Sequence, residues 1–280
     1  MKLFLTGSTG KVGSRVARHL AEKGHELRVL VRGPSHAQDA RERGWNAVQG
    51  DLSAPECLKS AIAGVDAVVH LAAFFRGATP AQIKTINEIG TVQLAQVALE
   101  ATVIRFLYTS TSLVYGEGYG HASLESETAQ PKSPYPQSKL AAEKALALLR
   151  DSRGLNPTIL RLTFVYGNGD THLTDWLPRL RELPGNRRLQ LIHHVDVCQA
   201  IELALSSEKL KGYIYNVADD ESLEVDEILL LLTGSRGKTF GPLSEHEKWE
   251  GIMDSARIRE DLGFRPSFPS LRDAISEGGL

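Results

Sequence analysis

Three shortages in this 280-residue chain each close off a class of explanation. Cysteine is scarce: Cys57 and Cys198 both fall in segments with helical patterning, which predicts thiols rather than a disulfide and a reducing, cytoplasmic setting. Long apolar runs are missing. The longest, 228–232, is far too short for a bilayer, and the opening Met-Lys-Leu-Phe-Leu-Thr-Gly reaches glycine too early for a secretory signal. Charge of one sign is missing too: a formal net charge of −2 makes no electrostatic case for nucleic acid or an anionic membrane as partner. What remains, 42% hydrophobic and 24% charged residues, predicts a globular chain of one large or two modest domains.

Near the amino terminus stands Thr6-Gly7-Ser8-Thr9-Gly10-Lys11-Val12-Gly13. An apolar strand over 2–5 precedes it, and a helix follows to about 23, with Val12, Val16 and Leu20 on one face. Glycines let backbone turn tightly and approach a ligand, and a helix start offers N–H groups and positive potential to a phosphate. Strand and helix patterns then alternate: strands over 26–31, 47–49, 67–71, 105–109 and 158–162, helices over 55–62, 83–101 and 138–150. Such alternation predicts an α/β, Rossmann-type doubly wound parallel sheet whose ligand lies beyond the strands' carboxyl ends. After 162 the pattern loosens, with helices over 196–205, 225–232, 254–262 and 271–275 and a strand over 213–217. The expected division is a dinucleotide-binding domain over 1–162, with helix 196–206 packed back on it, and a smaller substrate lobe from 163–195 and 207–280.

Two further clusters carry chemistry. Thr109-Ser110-Thr111-Ser112 follows the fifth strand, and Tyr135-Pro136-Gln137-Ser138-Lys139 sets a phenol and an ammonium four residues apart on one helix face. An ammonium beside a phenol favours phenolate, and a phenol so tuned exchanges protons with an alcohol or carbonyl near neutral pH.

From end to end the chain resembles the extended short-chain dehydrogenases/reductases, the NAD-dependent epimerase/dehydratase family. The resemblance lies in TGSTGKVG, Gly50-Asp51-Leu52, His70-Leu71-Ala72-Ala73, INEIGTVQLAQVALE, YTSTSLVYG, YPQSK, LRLTFVYGNGD, HHVDVCQAI and the tail DSARIREDLGFRPSFPSLRDAI. It implies that Gly7, Gly10 and Gly13 carry the dinucleotide pyrophosphate, with Ser8, Thr9, Lys11 and Val12 adjoining, while Asp51 and Leu52 flank the adenine. Leu71, Ala72, Ala73, Thr109 and Ser110 would line the cofactor, and Leu162, Thr163 and Phe164 would reach its nicotinamide end. Tyr135 would be the acid/base, and Lys139 would bind the nicotinamide ribose and lower the Tyr135 pKa. Thr111 would orient the substrate, with Ser110 and Ser112 as neighbours easily confused with it. Asn87 would either help a water or hold backbone.

Cofactor choice turns on the end of the second strand. An acidic residue there would bind the adenosine ribose hydroxyls and repel a 2′-phosphate; this chain has Val31-Arg32-Gly33. Arg32 could pair with that phosphate, and Lys11 is a second cation, so NADP is preferred over NAD. No metal is expected: His193 and His194 are neighbours facing opposite ways in a segment resembling a structural stretch of the family. Between Gly167 and His193 the chain is short against the nucleotide-sugar enzymes, which points to a small alcohol, carbonyl or free sugar as substrate. A nucleotide-sugar epimerase or dehydratase is the alternative, and a non-catalytic NADP sensor a second. Relatives of this kind pair through two helices, here 83–101 and 138–150.

Overall fold

The computed structural model describes residues 1–75, 77–207, 210, 213–237 and 243–280. Within the lobe expected over 207–280, residues 208, 209, 211, 212 and 238–242 therefore lie outside the described residues.

In chain order the elements are β1 (Lys2–Thr6), α1 (Lys11–Glu22), β2 (Glu26–Val31), α2 (Pro34–Glu42), β3 (Asn46–Gln49), α3 (Pro55–Ile62) and β4 (Ala67–His70). Next, α4 (Pro80–Lys84) runs through a π-turn at Thr85–Ile89 into α5 (Gly90–Glu100), followed by β5 (Arg105–Thr111), α6 (Pro134–Arg153) and β6 (Pro157–Leu162). The remainder comprises β7 (Phe164–Tyr166), α7 (His172–Asp175), α8 (Leu177–Leu180), β8 (Arg188–His193), α9 (His194–Ser206) and β9 (Ile214–Val217). The chain closes with β10 (Ser222–Glu224), α10 (Val225–Thr233), α11 (Glu245–Lys248), α12 (Ala256–Leu262) and α13 (Leu271–Ser276).

Seven strands form one sheet in the order β3-β2-β1-β4-β5-β6-β9. The pairings of β1 with β2 and β4, of β2 with β3, and of β4 with β5 are parallel, as expected for a doubly wound sheet. Winding reverses at β1, so the ends of β1 and β4 flank the switch point where such sheets bind ligands. β4 is buried throughout and β1 from Leu3 onward, which is why residues 3–5 and 67–69 are apolar, with the buried polar Thr6 and His70 at the strand ends.

By their internal contacts, residues 1–110, 132–160 and 204–213 form one compact unit and 111–131, 161–203 and 214–280 a second. These bounds differ from the expected ones. Segment 111–131 goes with the second unit because Ser123 bridges Met253, and Asn216 Nδ2 donates to the carbonyls of Ser123 and Asp254. Most of α9 goes there as well, since the Asp196 carboxylate accepts from the backbone of Ser267 and Phe268. The second unit has its own three-stranded sheet, β10-β8-β7, whose Tyr166, Leu191 and Leu223 pack with Ile228, Leu229 and Leu271.

The helix expected over 83–101 is interrupted. It begins earlier, under a capping box between Thr79 and Gln82, then opens into the π-turn before Gly90. A Cβ at Gly90 would stand 3.0 Å from that of Leu52, so close packing decides the residue there. Cys57 is half-buried and Cys198 buried, and no disulfide joins them. Among the described residues no helix is long and apolar enough to cross a membrane.

Candidate active site

Four consecutive strands in the first unit deliver backbone to one cleft of about 360 Å³ at their carboxyl ends. Gly7, Thr9 and Gly10 come from the end of β1, Arg32 from β2, Asp51 and Leu52 from β3, and Leu71, Ala72 and Ala73 from β4. Gly7 sits at φ +81°, and a Cβ there would lie 2.6 Å from the Ala72 nitrogen. At Gly13 a Cβ would lie 2.0 Å from the Gly7 carbonyl oxygen, so α1 starts as close to the loop as backbone allows. Helix α1 is capped by Gly10 without a side-chain bond and has no carboxylate in its first turn, leaving its positive end for an anion. These features fit the pyrophosphate of a nicotinamide dinucleotide. Gly13→Ala should cost about 1–3 kcal/mol of stability through overpacking and weaken dinucleotide binding, read by thermal unfolding and calorimetry.

Other expected cofactor residues are placed less directly. Ser8 is buried and lines a different pocket, while Lys11 is exposed and Val12 half-buried, neither among the residues lining the cleft. Arg32 stands with its guanidinium carbon 5.1 Å from the Phe74 ring centroid. The Asp51 carboxylate accepts from the amide and hydroxyl of Ser53 at 2.9 and 2.7 Å, a local turn that holds it at the cleft.

Tyr135 and Lys139 lie one turn apart on α6 in the same unit. The loop after β4 runs from the cleft to Tyr135: Phe74 lines the cleft, and the Phe75 ring centroid is 4.3 Å from that of Tyr135. Asn87, wholly buried in the π-turn, fixes that loop. Its Oδ1 accepts from Phe74 N at 2.7 Å, and its Nδ2 donates to Phe74 O at 2.8 Å and to Ser138 Oγ at 3.1 Å. Ser138 Oγ in turn donates to the Tyr135 carbonyl at 2.7 Å. Of the two roles open to Asn87, these bonds perform the backbone-holding one.

Lys139 is 2% exposed, with Nζ 4.0 Å from the Tyr108 ring centroid. Burial lowers its pKa from 10.5 to about 7, against an opposing pull from Glu143. Tyr135 is half-buried, and desolvation pushes its phenol up to about 12. The expected lowering of Tyr135 by Lys139 is thus reversed in this state: burial dominates, and the amine faces the ring of Tyr108.

His70, at the end of β4, does polar work that the spacing of the motifs does not reveal. Wholly buried, it places Nδ1 2.6 Å from Thr6 Oγ1 and Nε2 2.9 Å from Thr91 Oγ1. Thr91 Oγ1 donates to the Asn87 carbonyl at 2.6 Å, and Thr6 Oγ1 accepts from Ala72 N at 3.3 Å. Burial, then the Lys139 charge, lowers the His70 pKa to about 3, so the ring is neutral. Thr109 Oγ1 donates to the His70 carbonyl at 3.3 Å, and the buried Ser110 hydroxyl has no hydrogen-bond partner among the described residues.

The second unit holds the other expected residues. Thr111 is buried, its Oγ1 accepting from Leu113 N at 3.3 Å to cap a 3-10 turn at Ser112–Tyr115. Leu162 and Thr163 are buried, and the Phe164 ring stacks on His172 and Trp176 at centroid separations of 4.3 and 4.9 Å. His194 Nε2 meets Asp170 Oδ2 at 2.8 Å, and His193 Nε2 the Gly279 carbonyl at 2.8 Å, so the histidine pair serves two separate structural contacts.

With this geometry in view, residues 3–218 match the model of the NAD dependent epimerase/dehydratase family. The chain belongs to that family. It is an extended short-chain dehydrogenase/reductase enzyme, as its motifs imply. It is similar to the 2-alkyl-3-oxoalkanoate reductase of Stenotrophomonas maltophilia, with 33% identity over 85% of this chain and 76% of that one. Similarity also extends to the 4-hydroxy-2-methyl-3-oxo-4-farnesyl-3,4-dihydroquinoline-1-oxide ketoreductase of Stigmatella aurantiaca, at 30% identity over 85% of this chain and 74% of that one. Among solved structures, a dTDP-glucose 4,6-dehydratase from Streptomyces venezuelae with NAD and TYD bound superposes with a TM-score of 0.82 at 26% identity, covering 99% of this chain and 95% of that one.

Proposed function

We propose that the chain is an NAD(P)-dependent oxidoreductase acting on a small alcohol, carbonyl or sugar, with Tyr135 as acid/base. The observation that carries this reading is the loop after β4, which has Phe74 at the nucleotide cleft and Phe75 on the Tyr135 ring, with Asn87 holding both Phe74 and Ser138. A nicotinamide dinucleotide, which Gly7, Gly10, Asp51 and Leu71 would hold in the cleft, would supply the hydride chemistry at the substrate's carbonyl or alcohol carbon. Tyr135 donates its hydroxyl proton to the substrate oxygen during reduction and recovers it during oxidation. Lys139 holds ribose hydroxyls, and Thr111 keeps the substrate-orienting role of the family pattern. Ketone reduction is favoured by the two reductases at 30% and 33% identity, and by the short chain between Gly167 and His193. The solved dehydratase favours a nucleotide-sugar reaction in which the hydride is returned within one cycle. Stoichiometric loss of NAD(P)H absorbance with a ketone panel, and none with nucleotide sugars, is the expected result; nucleotide-sugar interconversion without net loss would overturn it.

NADP is the preferred cofactor in this reading, because β2 ends in Val31-Arg32 with no carboxylate and the Arg32 guanidinium stands at the cleft over Phe74. Arg32→Ala should weaken NADP binding roughly tenfold, the worth of one charge-assisted hydrogen bond, and leave NAD nearly unchanged. Tight binding of NAD alone, indifferent to Arg32→Ala, would sink the preference. A homodimer through 83–101 and 138–150 belongs to the same proposal.

A further inference from the structure

A second pocket, of about 180 Å³, lies against the nucleotide cleft in the first unit, between α1 and α2. Ser14 and Arg18 are one turn apart on α1, and His36, Asp39 and Arg43 fall three and four residues apart along α2 and its end, so each helix turns one face to the pocket. The buried Ser8 closes it from the glycine loop. Thr9 and Val31 belong to the walls of both pocket and cleft, so the two adjoin at the end of β2. In a doubly wound dinucleotide fold that is where the adenosine ribose lies, with its 2′ position beside the residues following β2.

The wall is built for an anion. Two guanidiniums, Arg18 and Arg43, outnumber the carboxylate of Asp39, and Ser8, Ser14 and His36 add further hydrogen-bonding groups. Arg43 is steadied by Trp45, whose ring centroid lies 5.7 Å from the guanidinium carbon. The start of α2 adds its own positive end: Pro34 occupies the first turn, Gly33 caps it without a side-chain bond, and no acid is in that turn. Arg32 reaches the same region from the adjoining cleft, while Lys11 lines neither space.

We infer that this pocket seats the 2′-phosphate of NADP, with Arg18 and Arg43 as its charge partners from two helices. The inference rests on the dinucleotide reading of the cleft and adds two helix-borne cations to Arg32 in telling NADP from NAD.

Titration calorimetry on the full chain tests it with NADP, NAD, 2′,5′-ADP and 5′-AMP. The Arg18→Ala/Arg43→Ala double variant should bind NADP and 2′,5′-ADP at least roughly tenfold more weakly, with NAD and 5′-AMP within about twofold of the parent. Unchanged NAD affinity doubles as the control for folding. Arg18→Gln/Arg43→Gln, which keeps more of each side chain's bulk, should show the same selective loss. Asp39→Asn should tighten NADP severalfold, and added salt should weaken NADP more than NAD. If NADP binds tightly and neither double variant changes the NADP-to-NAD ratio, the pocket is not the phosphate seat, while the cofactor reading stands. If the parent binds NAD but not NADP, both the inference and the NADP preference fall. If it binds neither dinucleotide, the reading of the cleft itself falls.

Discussion

Tyr135→Phe will abolish turnover while leaving the dinucleotide bound. Phenylalanine preserves the ring against Phe75, and the bond from Ser138 Oγ to the residue 135 carbonyl does not involve the side chain. Only the hydroxyl is removed, so the loss measures proton transfer. General acid–base catalysis contributes about 10²–10⁴-fold, and a deficit of that order is expected in single-turnover hydride transfer. With the phenol pushed up to about 12, its protonated form prevails across the working pH range, which suits donation to a carbonyl oxygen. Dinucleotide affinity and melting temperature should stay close to the parent. Full turnover by the variant would refute the assignment.

Lys139→Met should also destroy activity, yet raise stability at neutral and mildly acidic pH. The folded amine has its pKa near 7 against 10.5 as the ordinary value. Below pH 7 the amine is protonated in both folded and unfolded chains, so the folded state bears the full cost of a charge away from water. As pH rises from 7 towards 10.5 the folded amine is neutral while the unfolded chain still binds the proton. Stability therefore climbs by about 1.4 kcal/mol per pH unit over that window. Methionine fills similar space without charge and escapes the penalty. The variant should melt several degrees higher than the parent at pH 6, at roughly 2–4 °C per kcal/mol, and the gap should close by about pH 10.5. A lower melting point at pH 6 would show that the attraction of Glu143 outweighs desolvation.

The parts of this molecule legible in sequence are those set by local pattern. Parallel strands buried on both faces favour apolar stretches, so β2 and β4 announce themselves through residues 29–31 and 67–69, and α3 is marked by its opening proline. Helix α2 is silent because only Ala37 and Ala40 of its nine residues are buried, too little for a periodicity. The break in the helix after Lys84 is silent for another reason: it arises from Asn87 reaching Phe74 and Gly90 meeting Leu52, contacts between segments far apart in sequence. At the site, the glycine loop and the Tyr135–Lys139 spacing are readable as residue types. Ionisation is not readable, because burial decides it, and burial reversed the expected tuning of Tyr135. The pocket between α1 and α2 stays hidden from motif reading since its cations come from two helices and match no single stretch.

The hydrogen bonds around His70 also determine which of its ring nitrogens carries the proton. Thr91 spends its only hydroxyl hydrogen on the Asn87 carbonyl, so its oxygen can only accept from the ring, and His70 must be the Nε2–H tautomer. Nδ1 is then bare and accepts from Thr6, whose oxygen already accepts the Ala72 amide. The row Ala72, Thr6, His70, Thr91, Asn87 is therefore one-directional, every donor pointing the same way and each bond polarising the next. It is a built-in dipole that begins at the wall of the nucleotide cleft and ends on the residue that holds the Tyr135 helix.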